Sequence, residues 1–529
     1  MPEIKAKILW VDDEIDLLRS HILFLQEKGY QIIAVSNGED AVSSVKNEPF
    51  DLVLLDEMMP GKDGLSTLRE IKQFSPHLSC VMVTKSERED LMNEAFGQRI
   101  DDYLVKPLNP NQILSTCKRL LERRELVRQQ ALQRYVSELQ EIRESRSLRN
   151  PDWKGWIEIY CRLTEWDLLL DEVNEPNLKV SQEDEKRECN LEFARYVSVN
   201  YPDWVKSEGP SSESQDRPVL SADLVKKYLV PLLNRSKHKV YFLVMDCMRL
   251  DQWLLLEPLL EEFYEIKREY YYSIIPTATP YARNAIFSGL FPVEILKAYP
   301  QYWRGERNEE EGSGNRFEHQ LLDEQLERLQ IRIPETKYVK IFNLLEASEV
   351  KKKILSHYQS PLVSLVVNFL DILIHSRSES EIFKEMLQEE SGFRALTASW
   401  FVHSDLYEIL KKISTTNCTV VLTSDHGSIF GKRATVVRGG KDTSLNLRYK
   451  FGTTISGDPR HLLFIKDPEA FGLPADGLGK HYIIAQEDFY FVYPTKFAEY
   501  SKRYQGMLQH GGISLEEMIV PIAIMEPRR

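Results

Sequence analysis

Five short apolar runs, each followed by an amphipathic stretch, fill the first 122 residues: Ile8–Val11, Gln31–Val35, Leu52–Leu55, Cys80–Thr84 and Asp102–Val105. Strands that alternate with helical patterns restrict the fold sharply. Parallel neighbours need a crossover, and helices are what cover both faces of the resulting sheet, so the pattern predicts a doubly wound parallel α/β sheet. In such a sheet, ligand-binding side chains lie just past the carboxyl ends of the strands. Asp12 and Asp13 follow the first run, Asp56 the third, Thr84 ends the fourth, and Lys106-Pro107 follows the fifth. Three carboxylates in one pocket call for a cation. Mg²⁺ suits an all-oxygen set, Lys106 adds a positive charge able to engage a phosphoryl group, and Thr84 adds a hydroxyl.

At 529 residues the chain is long enough for about three folded units. The second, residues 123–210, is charged and almost free of glycine. Leu132, Tyr135, Leu139 and Ile142 recur at helical spacing and a Trp-rich stretch follows (Trp153, Trp156, Trp166), which predicts a helical bundle or connector. Ser207–Pro218 has linker composition. The third unit, residues 211–529, returns to α/β texture. Lys239–Asp246 and Cys418–Asp425 each read as a buried strand ending in an acid, and Gly305–Gly314 as a surface loop.

Composition removes several function classes. Lys and Arg total 68 against 81 Asp and Glu, a net charge of -13, which argues against a uniformly basic nucleic-acid coat, and no helix-turn-helix is discernible. The six cysteines are scattered without a CxxC pair, which argues against a disulfide frame or a zinc-thiolate site and for reduced thiols. The most apolar stretch, Leu362–Ile374, is interrupted by polar residues and too short to span a bilayer, and the N-terminus lacks a signal-peptide pattern. A cytoplasmic location is expected.

A second set of chemistry-bearing residues lies in the third unit. Asp371 and His375 stand at i, i+4, metal-ligand spacing on one helix face. Asp425-His426 ends a buried strand, His510 sits in a Gln-His-Gly-Gly segment, and Asp246 ends its own strand. Three Asp and three His, joined by a nucleophile, suffice for two cations, and mixed nitrogen and oxygen donors favour Zn²⁺, with Mn²⁺ as the alternative. The nucleophile candidate lies in Pro276–Gly289, where a strand meets a helix and a phosphate would face the positive end of the helix dipole. A threonine hydroxyl there needs a metal to act near neutral pH.

The first constellation resembles the response-regulator receiver family, whose DxxMPxxDG loop matches Asp56–Gly64. The resemblance implies Asp56 as phosphoacceptor, Asp12, Asp13, Asp56 and Met58 as the Mg²⁺ set, Thr84 and Tyr103 as switch residues, and Lys106 as the phosphate contact. Lys85 departs from the small residue usual after the switch threonine. The second constellation, in the order Asp, Thr, Asp-xxx-His, Asp-His, His, resembles the alkaline phosphatase superfamily and in its wording the PglZ branch. That implies one metal on Asp371, His375 and His510, and another on Asp246, Asp425, His426 and Thr279. Thr279 is the implied nucleophile with Thr277 as runner-up, and Asn284 the implied phosphoryl contact. A formylglycine precursor is missing, which disfavours a sulfatase, and the P-T-x-T wording favours diesters over monoesters. A basic segment with Arg438, Arg448, Tyr449 and Lys450 is expected to bind a nucleotide-type substrate.

The whole order of receiver, connector and PglZ-type domain resembles PorX-like response regulators associated with type IX secretion in Bacteroidetes. It implies a sensor histidine kinase as phosphate donor, an extracytoplasmic-function sigma factor and secretion components as partners, and a homodimer formed on phosphorylation through residues 86–120. The expected activity is a zinc-dependent phosphodiesterase. The alternative is a catalytically silent, metal-stabilised scaffold that signals by binding.

Overall fold

The apolar runs at residues 8–11, 52–55 and 80–84 form strands that are buried on both faces at once, while the other two lie at the sheet edges and are partly exposed. The computed structural model describes residues 5–75, 78–85, 100–173, 176–207, 217–235, 238–303, 315–355, 360–376, 389–440, 443–444, 446–475 and 479–528. The chain divides into two compact units, residues 1–141 and 142–529. In the first, β1 (Ala6–Val11), β2 (Tyr30–Val35), β3 (Leu52–Asp56), β4 (Ser79–Thr84) and β5 (Asp102–Val105) form an all-parallel sheet of order β2-β1-β3-β4-β5. Alternation along the strands feeds two cores. Leu9, Val53 and Met82 pack with Leu68 and Ile71 on one face, whereas Ile8, Trp10, Leu54 and Val83 pack with Leu25 and Ile113 on the other. Each fully buried apolar side chain contributes about 1.5–3 kcal/mol, so a register slip would be costly.

The second unit is built on a six-stranded sheet of order β7-β19-β10-β6-β9-β8. Its parallel part comprises β6 (Lys239–Met245), β8 (Thr336–Ile341), β9 (Leu362–Val367) and β10 (Cys418–Thr423). β7 (Tyr264–Tyr272) and β19 (Ile519–Pro527) complete it in antiparallel pairing. Between β10 and β19 the chain makes short strands: β11 (Ile429–Gly431), β12 (Arg433–Gly439), β13 (Tyr449–Gly452), β14 (Ile455–Gly457), β15 (Leu462–Ile465), β16 (His481–Ala485), β17 (Phe489–Val492) and β18 (Met507–Gln509). The apolar stretch Leu362–Ile374 becomes buried β9 and the helix Phe369–Ser376, and among the described residues no helix is long and apolar enough to cross a membrane.

Two structural features bear on the expected organisation. The boundary expected at 122 falls inside one helix, Pro110–Arg149. The helices Trp153–Val173 and Pro176–Lys206 pack within the second unit: Trp156, Tyr160, Phe193, Tyr201 and Trp204 share one core with Tyr272, Ile274, Tyr281 and Ile519. Aromatic side chains of this size seldom stay on a surface when a partner face is available, so these helices pack within the second compact unit. Most of the expected linker Ser207–Pro218, all of the Gly305–Gly314 loop and much of the 86–120 face lie outside the described residues.

Candidate functional site

In the first unit, β1 and β3 deliver their acids to one pocket. Ligand oxygens of Asp12, Asp13 and Asp56 lie within 4.8 Å of one another. Lys106, just past β5, places Nζ 2.9 Å from both Asp12 Oδ2 and Asp56 Oδ2. Burial raises the Asp56 carboxyl above the usual aspartate range, against the hydrogen bond from Lys106. Burial works to lower the Lys106 pKa, but the carboxylates of Asp12 and Asp56 outweigh it and hold the ammonium above its ordinary value. Asp56 Oδ1 is buried without a hydrogen-bond partner, an orphaned oxygen beside two other acids that fits a hard cation such as Mg²⁺. Thr84 is buried at the end of β4, Tyr103 is half-buried on β5, and the Met58 side chain is exposed.

In the second unit, four parallel strands end at one rim. Asp246 follows β6, Asp425 and His426 follow β10, and Asp371 lies in the helix after β9. Asp246, Asp425 and His426 are fully buried with ligand atoms within 4.8 Å of one another. Thr279 opens the helix Thr279–Ser288, and its Oγ1 lies 3.4 Å from Asp246 Oδ1 and 3.1 Å from His426 Nε2. His426 Nδ1 is 3.0 Å from the Gly427 carbonyl, which keeps the proton on Nδ1 and turns the Nε2 lone pair toward Thr279. The His510 ring stacks on His426 at 4.4 Å, and its Nε2 is 3.8 Å from Asp371 Oδ1. That stacking brings the Asp371–His510 pair alongside the first trio. His375 lies in the helix with Asp371, but its side chain is outside the described residues.

Burial dominates the electrostatics here. It pushes the Asp246 carboxyl up to about 8 and raises Asp425, in both cases against the Arg283 guanidinium, and it lowers His426 below its ordinary value. Asp425 Oδ2 is buried without a hydrogen bond. Imidazole nitrogen and carboxylate oxygen converging on a dry cluster with an unsatisfied oxygen fit Zn²⁺.

The two threonines differ in their engagement. Thr277 Oγ1 donates to the Gly512 carbonyl and accepts from the Gly511 N–H, a bracing role, whereas Thr279 faces the acids. Asn284 is buried and its Nδ2 donates to the Pro280 carbonyl. Three of the four substrate-binding expectations need correction. Arg448 is fully buried and its guanidinium forks onto Glu517, with Nε 3.1 Å from Oε1. Tyr449 packs in the core against Tyr281, and Lys450 is buried with Nζ donating to the Ser444 carbonyl. Sequence shows the charge of such residues but not that a partner neutralises it inside the fold. Arg438 alone of the four is exposed.

Sequence reasoning missed three residues at the rim. Arg283 donates to Asp246 Oδ2 at 2.5 Å and to Glu318 Oε1 at 2.5 Å, and Asn368 Nδ2 donates to Asp246 Oδ2 at 2.9 Å. Arg283 was detectable, since it stands one helical turn after Thr279 and so shares its face. Glu318 carried no local signal.

Comparison with known proteins gives three matches along the chain. The response regulator receiver domain matches residues 8–118, the PorX response regulator linker domain 125–205, and the BREX system PglZ alkaline phosphatase-like domain 224–525. The chain is 35% identical over 119 residues to the transcriptional regulatory protein ResD of Bacillus subtilis, covering 22% of this chain and 49% of that one. It is 38% identical over 135 residues to BaeR of Escherichia coli, covering 24% and 55%. The chain thus spans about half the length of these relatives. Among solved structures, the chemotaxis protein CheY4 of Vibrio cholerae is 27% identical, covering 22% of this chain and 98% of that one with a TM-score of 0.21. A CheY-like receiver from Methanospirillum hungatei is also 27% identical, covering 22% and 94% with a TM-score of 0.22.

Proposed function

The chain belongs to the PglZ alkaline phosphatase-like family and carries a response-regulator receiver and a PorX-type linker ahead of that domain, and on this premise we propose a response regulator whose output is phosphodiester hydrolysis. The observation that carries the reading is Thr279 Oγ1 seated between Asp246 Oδ1 and His426 Nε2 on the rim where four parallel strands end. Asp246, Asp425 and His426 would hold one Zn²⁺, with Asp371, His375 and His510 for a second. When bound, such a pair of cations lowers the pKa of a nearby hydroxyl and screens phosphate charge. Thr279 Oγ forms the new bond to phosphorus as the first ester bond breaks, and the proton lost from the Thr279 hydroxyl passes to the departing alkoxide. Water then releases the monoester and restores the hydroxyl. The N-terminus of the Thr279 helix favours the phosphate's negative charge.

With added Zn²⁺ the protein is expected to release p-nitrophenolate from bis-p-nitrophenyl phosphate, and Thr279→Ala to reduce that by at least about a hundredfold. Equal release from the variant, or none from the natural protein, favours the binding scaffold instead.

For the receiver, we propose that a sensor histidine kinase phosphorylates Asp56 with Mg²⁺ on Asp12, Asp13 and the Met58 carbonyl. The new charge then draws on Thr84 and Tyr103 and promotes a homodimer. Control of type IX secretion, through an extracytoplasmic-function sigma factor or secretion components, is the process this reading attaches to the PorX-type linker. Sedimentation with beryllium fluoride and Mg²⁺ is expected to double the mass, and an unchanged mass would remove the dimer from the reading.

A further inference from the structure

The strand register extends past the metal carboxylates to an aromatic residue that no described contact buries. Val244 pairs with Thr423, and Val367 pairs with both Met245 and Ile341. The ladder continues one step, with the Asp246 N–H on the Val367 carbonyl and the Asn368 N–H on the Ile341 carbonyl. Asp425, Asp246, Asn368 and Phe342 therefore form one row across β10, β6, β9 and β8. At about 4.8 Å per strand, Phe342 lies roughly 10 Å along that row from Asp246.

Phe342 is 46% exposed, Leu344 71% and Leu345 80%, and Ile372, next to Asp371 in the chain, is 39% exposed. Among the described residues no other three large apolar side chains this exposed fall within four positions. The segment is held in place. The Phe342 N–H donates to Glu346 Oε2 at 2.7 Å, and Asn343 Oδ1 accepts from the Glu346 N–H at 3.0 Å, so a capped helix start fixes the backbone that presents the ring. An apolar patch left in water on a pinned loop marks a contact surface, and its place in line with the phosphate-handling carboxylates selects the occupant.

We propose that Phe342, flanked by Leu344 and Leu345, is a stacking platform for the base of a nucleotide phosphodiester substrate. The platform rests on the diesterase reading above and supplies the aromatic surface that buried Tyr449 does not. A base stacked on an aromatic ring is sequence-tolerant, so the platform selects nucleotide over alkyl diesters without choosing among bases.

Two substrates separate the possibilities: a p-nitrophenyl ester of a nucleoside 5′-monophosphate, and methyl p-nitrophenyl phosphate, which has no base. Phe342→Ala is expected to lower kcat/KM at least about tenfold on the first, mainly through KM, and less than twofold on the second, with Phe342→Trp restoring the natural value. Equal losses on both, or no loss on either, overturn the platform. A dinucleotide carrying 2-aminopurine gives a readout independent of turnover, because its fluorescence is quenched on stacking. Quenching by the natural protein and not by Phe342→Ala supports the platform even if neither ester is cleaved, an outcome that would sink only the diesterase reading. Equal quenching, or none by either protein, overturns it and leaves the patch to a protein partner.

Discussion

The most exacting test of the second unit is the removal of Arg249, three residues after Asp246. This guanidinium is 2% exposed, donates to Asp251 Oδ1 at 2.9 Å and Oδ2 at 2.5 Å, and reaches Glu390 Oε2 at 2.7 Å. Arg394 Nη1 holds Asp251 from the other side at 3.0 Å, and Lys186 lies 3.4 Å from Glu390. Arg249→Met leaves buried Asp251 and half-buried Glu390 short of a partner, which costs about 3–5 kcal/mol. Over residues 142–529, an unfolding entropy of about 2.1 cal/mol/K per residue amounts to roughly 0.8 kcal/mol/K, so Tm is expected to fall by about 4–6 °C at pH 7. Breaking the exposed pair Lys297–Glu469 with Lys297→Met is the control and should move Tm by about 1 °C or less. The pH dependence has a definite sign. Burial works against ionising Glu390 and Asp251, yet Lys186, Arg249 and Arg394 hold Glu390 well below its ordinary value, and Arg249 and Arg394 hold Asp251 below its own. Depressed folded-state values stabilise the fold above the unfolded pKa near 4, and that contribution is lost as pH falls through the folded ones. The Tm gap between natural protein and Arg249→Met should therefore narrow as pH is taken below about 4. A gap under 1 °C at pH 7, or one that does not narrow in acid, refutes the argument.

Three further outcomes are expected. Arg448→Met should lower Tm by about as much as Arg249→Met, since Arg448 and Glu517 are both fully buried, while KM for a diester stays within twofold; a large rise in KM would return Arg448 to the substrate. Gly427→Ala would place a Cβ 1.9 Å from the Glu516 carbonyl, forcing apart the loop that carries His426. Overpacking of about 1–3 kcal/mol and at least a tenfold loss of Zn²⁺ affinity in a chelator competition are expected, and unchanged affinity would show that the loop yields without moving the imidazole. Asp56→Asn should abolish the mass gain seen on incubation with acetyl phosphate and Mg²⁺, and persistent labelling would place the acceptor elsewhere.

The parts of this fold legible in the sequence are those governed by period and by strand ends. The five N-terminal runs lie within three residues of the observed strands, because continuous apolar segments have no other way to be buried. Asp246, Asp425 and His426 were legible as residues following apolar runs, and Asp371 as a helix-face residue. Two features were not. The aromatic face of residues 153–204 reads as a helical bundle or connector with no stated partner, since sequence does not say which apolar surface Trp156 or Trp204 will meet. Arg448 and Lys450 read as substrate-binding cations because the pairing that buries Arg448 comes from Glu517, distant in sequence and adjacent only after folding.

The two sites share an electrostatic solution that neither motif states. Two ionised carboxylates about 5 Å apart repel by roughly 3 kcal/mol at an effective dielectric of 20, so a cluster of acids holds its charge only with a positive group beside it. In the first unit Lys106 bridges Asp12 and Asp56. In the second, Arg283 takes Asp246 Oδ2 and lies 3.8 Å from Asp425 Oδ2, itself steadied by Glu318. One basic side chain, half-buried Lys106 in the first and buried Arg283 in the second, thus offsets much of the repulsion in each cluster and keeps the acids gathered. It also selects the oxygen left over. With Arg283 and Asn368 on Asp246 Oδ2, the oxygen turned toward Thr279 is Oδ1, the geometry on which the proposed chemistry depends.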